Sequence, residues 1–165
     1  MERTGIQTIK ESLQQIDEHF MRMALEQAYV AAEMGEIPIG AVLVWNKNFV
    51  VAVAHNLVET EQNATKHAEL ICLNEAMKKL QMKYLTEATL YVTLEPCPMC
   101  AGALVLTKVK RLVYGASDPK AGAVSTLFSI TSDERLNHRL QVTSGVYEQE
   151  CSEVLKNFFK KLREK

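Results

Sequence analysis

Apolar residues recur along the chain with two periods, one typical of helices and one typical of strands. Between residues 17 and 34 they share one face of a helix, and we predict that this helix begins with Asp17 as its N-cap and stops at Gly35. A nearly continuous apolar run at 39–45 and a β-rich run at 49–54 flank a polar turn, which predicts two paired strands. Later segments predict, in chain order, a helix at 67–80, a strand at 88–94, a helix at 98–106, strands at 111–114 and 140–146, and a helix at 150–163.

Helices alternate with strands over most of the chain, a pattern that is typical of α/β folds. We predict a three-layer α/β/α sandwich around a mixed five-stranded sheet, with the apolar strand 88–94 near its centre. The 165 residues contain no linker-like stretch, internal repeat or low-complexity tract, so we expect a single domain over residues 1–165.

The composition is that of an ordinary globular protein, with 47% hydrophobic and 24% charged residues. No apolar run approaches the roughly 18 residues of a membrane span, and residues 1–10 lack the apolar core of a secretory signal. We therefore expect a cytoplasmic protein with no membrane partner. In such a protein, a Cys-x-x-Cys pair is more often metal-binding or redox-active than a structural disulfide.

The net charge of −1 conceals an uneven distribution. Residues 1–40 contain seven acidic and three basic side chains, whereas residues 154–165 contain five basic side chains and one acidic one. The basic tail could contact phosphates, which would suit a nucleic-acid partner. It could equally be a solvated helix end whose positive charge complements the helix dipole.

Two short segments carry the candidate chemistry: His67-Ala68-Glu69 and Pro96-Cys97-Pro98-Met99-Cys100. One imidazole and two thiolates suit Zn²⁺, and three protein ligands leave a tetrahedral ion one position for water, as in catalytic sites. Glu69, close to the ligands without being one, is suited to moving a proton. The order H-x-E followed by P-C-x-x-C is the signature of zinc nucleobase deaminases.

Two structural alternatives remain for these residues. Cys97 and Cys100 could form a thioredoxin-like redox pair, although no fold signature supports it. A structural zinc site would need a fourth protein ligand, for which the candidates are His55, Cys72, His138 and Cys151. Otherwise we expect Cys72 and Cys151 to be buried, inert thiols.

Residues 93–103, which include both cysteines of the pair, resemble the zinc loop of bacterial-type tRNA-specific adenosine deaminases in the cytidine-deaminase-like superfamily. The resemblance extends to residues 36–44, to Asn56 and 66–69, and to 114–123, 136–139 and 158–163. The earlier segments are shared with free guanine deaminases, whereas 118–123, Asn137-His138-Arg139 and the Phe-Phe basic tail resemble the tRNA enzymes. The chain departs from the family at 61–65, where an Asp-Pro-Thr pattern is commoner, and at Leu162, where some members carry a basic residue.

The resemblance implies a homodimeric, Zn²⁺-dependent enzyme, with no organic cofactor, that converts the wobble adenosine of an arginine tRNA anticodon loop to inosine. Metal ligands would be His67, Cys97 and Cys100. Glu69 would take a proton from the attacking water and return protons to N1 and to the departing amine. The Ala68 N–H would lie near the purine ring.

Further residues are candidates for contacts with the RNA: Asn56 to the base or ribose, Asp118 to a base or 2′-OH, Lys120 to phosphate, Asn137 to a flanking base, and Phe159 with Arg163 as a stacking plane and a phosphate contact. Each has a simpler alternative. Asn56 could form an Asx-turn, Asp118, Lys120 and Asn137 could belong to a plain polar loop, and Phe159 could pack in the core.

Two other functions compete with tRNA deamination. A deaminase of free guanine, cytosine or CMP would use the same zinc machinery. A non-catalytic RNA-binding subunit would be expected to lack the catalytic carboxylate, and Glu69 is present.

Overall fold

A mixed five-stranded sheet forms the centre of the structure, a computed structural model that describes residues 2–165. The strands stand in the order β2-β1-β3-β4-β5. Their bounds are β1 Gly40–Trp45, β2 Phe49–His55, β3 Ala88–Leu94, β4 Arg111–Ala116 and β5 Gln141–Ser144. Strand β1 is antiparallel to β2 and β3, whereas β3, β4 and β5 run parallel. The predicted sheet is therefore confirmed, with the apolar strand β3 at its centre.

Helices cover both faces of this sheet. Their bounds are α1 Glu2–Glu33, α2 Ala68–Leu80, α3 Pro98–Leu106 and α4 Glu148–Arg163, with one 3₁₀ turn at Ile130–Ser132. Helices α1 and α4 pack on one face and α2 and α3 on the other, so each face has its own apolar cluster. This confirms the three-layer sandwich. None of the helices that the structure describes combines the length and apolar character needed to cross a membrane.

The start of α1 differs from the prediction. The helix begins at Glu2, so Asp17 lies in its interior and is not an N-cap. Its buried carboxylate accepts two hydrogen bonds from the guanidinium of Arg111, at 2.7 and 2.6 Å, and one from the Tyr91 hydroxyl at 3.0 Å. The other end of α1 is confirmed: Gly35 has φ +79°, and the Glu36 N–H returns to the carbonyl of Ala31.

The segments that carry the candidate chemistry meet at one edge of the sheet, where β3 ends. Strand β3 ends at Leu94 and leads directly to α3, while the loop after β2 leads to α2, so the N-termini of both helices lie at this edge. Gly40, the first residue of β1, also lies here and donates its N–H to the Thr93 hydroxyl at 3.1 Å. A Cβ at Gly40 would be 1.9 Å from the Ala24 carbonyl oxygen, so only glycine lets α1 pack this closely.

Candidate active site

Two helix starts bring the three predicted metal ligands together. His67 is the N-cap of α2, Cys97 is the N-cap of α3, and Cys100 follows in the first turn of α3. Pro98 occupies the first turn of α3, where its missing N–H costs no helical hydrogen bond. The imidazole Nδ1 lies 3.5 Å from the Cys97 sulfur and 3.6 Å from the Cys100 sulfur.

These distances match what a tetrahedral zinc ion requires. With Zn–S bonds of about 2.3 Å and a Zn–N bond of about 2.0–2.1 Å, sulfur and nitrogen ligands lie about 3.6 Å apart. Within residues 2–165, the cluster of possible metal ligands contains His67, Cys97 and Cys100 and no fourth side chain. Because all four alternative ligands lie outside the cluster, the geometry does not support the structural zinc site with a fourth ligand.

Cys72 and Cys151 are buried free thiols, as expected. Burial raises the pKa of Cys151 to about 12 and also raises the pKa of Cys72, so both stay protonated. His55 ends β2 and its Nδ1 lies 3.0 Å from Oε1 of Gln27. His138 bonds through Nε2 to the Val109 carbonyl, at 2.6 Å. The two histidines therefore have hydrogen-bond partners of their own, and the two thiols are buried and free.

Glu69 lies in the first turn of α2 and is only 4% exposed. Its Oε2 atom is buried and has no hydrogen-bond partner among residues 2–165. Burying a carboxylate oxygen without a donor is unfavourable, so such an atom indicates a group that is kept for chemistry. Glu69 and the three ligand side chains form a compact group that matches the predicted zinc and proton-transfer machinery.

The protonation of this group follows from its contacts. A hydrogen bond from the Cys100 thiol lowers the pKa of Cys97 to about 4, with further help from His67 and from the Cys100 N–H at the helix start. Cys97 accordingly carries a thiolate at neutral pH. The contact with Cys97 is the main cause that raises the pKa of Cys100, and burial raises it further. The hydrogen bond with the Cys97 sulfur also raises the pKa of His67. Burial raises the pKa of Glu69 to about 7, which suits a group that both accepts and donates a proton.

The structure places Asn56 and Ala68 in buried positions at the same sheet edge. Asn56 follows β2, is 3% exposed, and has an Oδ1 atom without a hydrogen-bond partner. This does not fit an Asx-turn, in which that oxygen would accept a backbone N–H. Ala68 is fully buried as the first residue of α2, where the N–H has no helical acceptor.

Asp118 and Lys120 lie in the loop that follows β4, beyond Ala116. The Asp118 Oδ1 atom accepts the N–H groups of Lys120 and Ala121, at 2.9 and 3.2 Å, and so shapes the turn. Lys120 is exposed, and so is Asn137, which lies in the later loop before β5. The structure thus gives Asp118 a role in its own loop.

Phe159 and Arg163 lie in the last turns of α4. Phe159 is 39% exposed, and its ring packs edge-on against Phe158 with centroids 5.5 Å apart. Arg163 is exposed. Helix α4 is anchored to the sheet further towards its N-terminus, through Cys151 and Val154. Phe159 is therefore not a core residue.

Two buried glutamates were not identified from the sequence. Glu36 is fully buried and accepts the N–H groups of Glu59 and Thr60, at 3.2 and 2.6 Å, which fixes the loop before His67. Glu95, which is 2% exposed, accepts hydrogen bonds from the loop after β4. The signal for both was a single acid flanked by apolar residues at a strand boundary.

Comparison with known proteins agrees with this geometry. The MafB19-like deaminase family matches residues 16–163. The tRNA-specific adenosine deaminase of Bacillus subtilis (strain 168) is 53% identical over 149 residues, which are 90% of this chain and 92% of that protein. The tRNA-specific adenosine deaminase of Haemophilus influenzae is 49% identical over 150 residues, 91% of this chain and 87% of that protein.

A solved structure gives the same result. It comes from work on A-to-I editing by tRNA:A34 deaminases at the wobble position of transfer RNA, and it superposes with a TM-score of 0.79 at 43% identity. The match covers 83% of this chain and 99% of that one. The resemblance noted in the sequence is thereby confirmed, and the chain belongs to the tRNA-specific adenosine deaminase family of enzymes.

Proposed function

We propose that this protein hydrolytically deaminates the wobble adenosine of a tRNA anticodon loop to inosine, with arginine tRNA as the expected substrate. One observation carries the proposal: a buried, unpartnered carboxylate oxygen of Glu69 accompanies three side chains whose spacing suits tetrahedral zinc. His67, Cys97 and Cys100 would hold the Zn²⁺, leaving one coordination position for water.

A zinc ion bound there would supply a Lewis acid that makes hydroxide available near neutral pH. Glu69 takes the proton that water loses as its oxygen attacks C6 of adenine. The same carboxyl group delivers that proton to N1. It then takes the proton of the new C6 hydroxyl and passes it to the amine as the C6–N bond breaks, so water and adenosine become inosine and ammonia. The Ala68 N–H, free at the start of α2, is our candidate donor to the purine ring.

The remaining contacts are proposed from exposure and chemistry. Asn56, with its unpartnered Oδ1, would accept a hydrogen bond from the base or ribose. The exposed Lys120 would meet phosphate, and Asn137 would read a flanking base. An anticodon loop already presents its bases unstacked, so little energy is needed to bring the adenine into the site.

The end of α4 would add a second RNA contact. Phe159 offers a partly exposed ring, and Arg163 lies one turn further along with a cation that could pair with phosphate. Asp118 would contribute through its remaining oxygen to a base or 2′-OH, while Oδ1 holds the turn.

Our proposal also includes the assembly and location of the enzyme. Leu106 is 77% exposed at the end of α3, and Leu127 and Phe128 are each 53% exposed in the loop after β4. Exposed apolar side chains of this size support a homodimer. We take residues 1–165 as one deaminase domain that acts in the cytoplasm, where tRNA is available.

The decisive experiment measures inosine formation on an arginine-anticodon hairpin, with the zinc content determined on the same sample. We expect inosine on the hairpin and about one zinc per chain. Ammonia release from free guanine, cytosine and CMP is measured in parallel. Rapid turnover of a free base together with an inert hairpin would refute the tRNA assignment, and a zinc-loaded protein inert on every substrate would favour a binding subunit.

A further inference from the structure

Glu95 joins the segment that carries Cys97 and Cys100 to the loop that follows β4. It follows β3 directly and precedes Cys97 by two residues, and its side chain is almost fully buried. In the part of the chain that the structure describes, the carboxylate accepts hydrogen bonds only from the loop after β4. The donors are the N–H groups of Val124, Ser125 and Thr126 to Oε2, at 3.2, 3.3 and 3.2 Å, and the Thr126 hydroxyl and the Asp118 N–H to Oε1, at 2.5 and 3.5 Å.

The loop wraps tightly around this carboxylate. A Cβ at Gly122 would lie 2.2 Å from the Glu95 Oε2 atom, so the backbone approaches as closely as glycine permits. A further hydrogen bond joins the N–H of Ala123 to the carbonyl of Pro96, at 2.9 Å. Residues 118–126 are therefore fastened to the segment that carries the metal-binding cysteines.

Packing alone does not explain an acid at this position. A buried carboxylate is unfavourable unless its hydrogen-bond donors compensate for the lost hydration. Here the donors are successive backbone N–H groups that turn inward from a loop with no strand or helix to satisfy them. The shape of residues 124–126 thus depends on the Glu95 carboxylate, an acceptor that no apolar side chain could replace.

We propose that Glu95 is a positioning residue for RNA: it holds residues 118–126, and with them Lys120, in a fixed place relative to the metal ligands. The inference rests on the proposed function. A loop that is already ordered has less conformational entropy to lose when RNA binds, so Glu95 acts on substrate capture. None of its hydrogen bonds involves His67, Cys97, Cys100 or Glu69, so we expect the chemical step to be unaffected.

The test compares Glu95→Gln and Gly122→Ala with Glu87→Gln. The first removes the charge and places an N–H₂ group towards the Asp118 N–H. The second leaves Glu95 in place and crowds its carboxylate. The control makes the same chemical change at the other end of β3, where Glu87 is half exposed and pairs with Lys110.

We expect both test variants to raise KM for the anticodon hairpin about tenfold, the equivalent of one lost hydrogen bond to a charged group. Changes in kcat should stay within about threefold, zinc content should be unchanged, and amide exchange at 124–126 should accelerate. The control should match the wild type in all four measurements.

Several outcomes would overturn the inference. These are an unchanged KM in both variants, a loss of zinc, a fall in kcat at constant KM, or unaltered amide exchange at 124–126. Should Glu95→Gln fail to fold, Gly122→Ala decides by the same measurements. A wild-type protein that forms no inosine refutes the proposed function and this inference together, whereas an active wild type with unaffected variants refutes only the inference.

Discussion

Replacing Glu69 with glutamine should abolish turnover while leaving the metal in place. The substitution keeps the size of the side chain and removes its ability to accept and release a proton. None of the three atoms that could hold the metal belongs to Glu69, so we expect the imidazole and both sulfurs to keep their spacing. The variant therefore separates proton transfer from metal binding.

The expected magnitude follows from what surrounds the side chain. A positioned acid–base group contributes about 10²–10⁴-fold per proton transfer, and this reaction needs several transfers through one carboxyl. Glu95 cannot take over, because its two oxygens are occupied by the loop after β4. We expect kcat to fall at least about 10³-fold, or about 4 kcal/mol of transition-state stabilisation.

The assay is single-turnover inosine formation on the anticodon hairpin, with metal analysis and a hairpin-binding measurement on the same samples. Zinc content and hairpin affinity should match those of the wild type. Glu75→Gln is the matched control, because Glu75 lies on the same helix, is exposed, and has only a 3.9 Å contact with Lys79. Turnover within about tenfold of wild type in Glu69→Gln would refute the assigned role.

Three further predictions concern stability, measured by urea unfolding. Gly40→Ala should lower the free energy of unfolding by more than about 3 kcal/mol, because its Cβ would meet backbone atoms of α1. Gly102→Ala is the control: a Cβ there has nothing within 4 Å, so the variant should be neutral or stabilise α3 by up to about 1 kcal/mol. Similar losses of stability in the two variants would contradict the packing argument. Arg111→Ala should cost about 3–5 kcal/mol, because it leaves the buried Asp17 carboxylate without its cation, and a loss below about 1 kcal/mol would contradict this. Burial raises the pKa of Glu36, but hydrogen bonds from the loop before α2 outweigh this effect and lower it. The stability that ionised Glu36 provides is thus complete above its unfolded pKa of about 4.3, and the advantage over Glu36→Gln should shrink as pH falls below that value; a gap that widens there would refute the assignment.

The sheet was predictable because its strands are apolar runs bounded by polar turns. The start of α1 was not, because the apolar residues before Asp17 are sparse, and Ile6, Ile9 and Leu13 remain exposed in the structure. Without a buried face, this segment gave no strong helical period. An Asp before a strongly periodic segment then resembled an N-cap, whereas its true partner, Arg111, lies 94 residues away in the sequence.

The cluster of possible metal ligands was predictable because zinc chemistry restricts both residue type and spacing. His67, Cys97 and Cys100 lie at helix starts, a position that the sequence also indicated. The loop contacts were harder to predict, since the sequence around Asp118 is the same whether its carboxylate contacts RNA or its own backbone. Its two N–H donors, at Lys120 and Ala121, become visible only in three dimensions.

Three buried glutamates at one edge of the sheet show why the distinction depends on hydrogen-bond donors. Glu36 accepts two backbone N–H groups and Glu95 accepts four, together with a hydroxyl, so both are fully used in holding loops. Glu69 is equally buried, but one of its oxygens has no donor. A fold can tolerate that cost where the missing donor arrives with the reaction, and here water and the adenine ring would supply it. The same side chain therefore supports the structure at two positions and remains available for chemistry at the third.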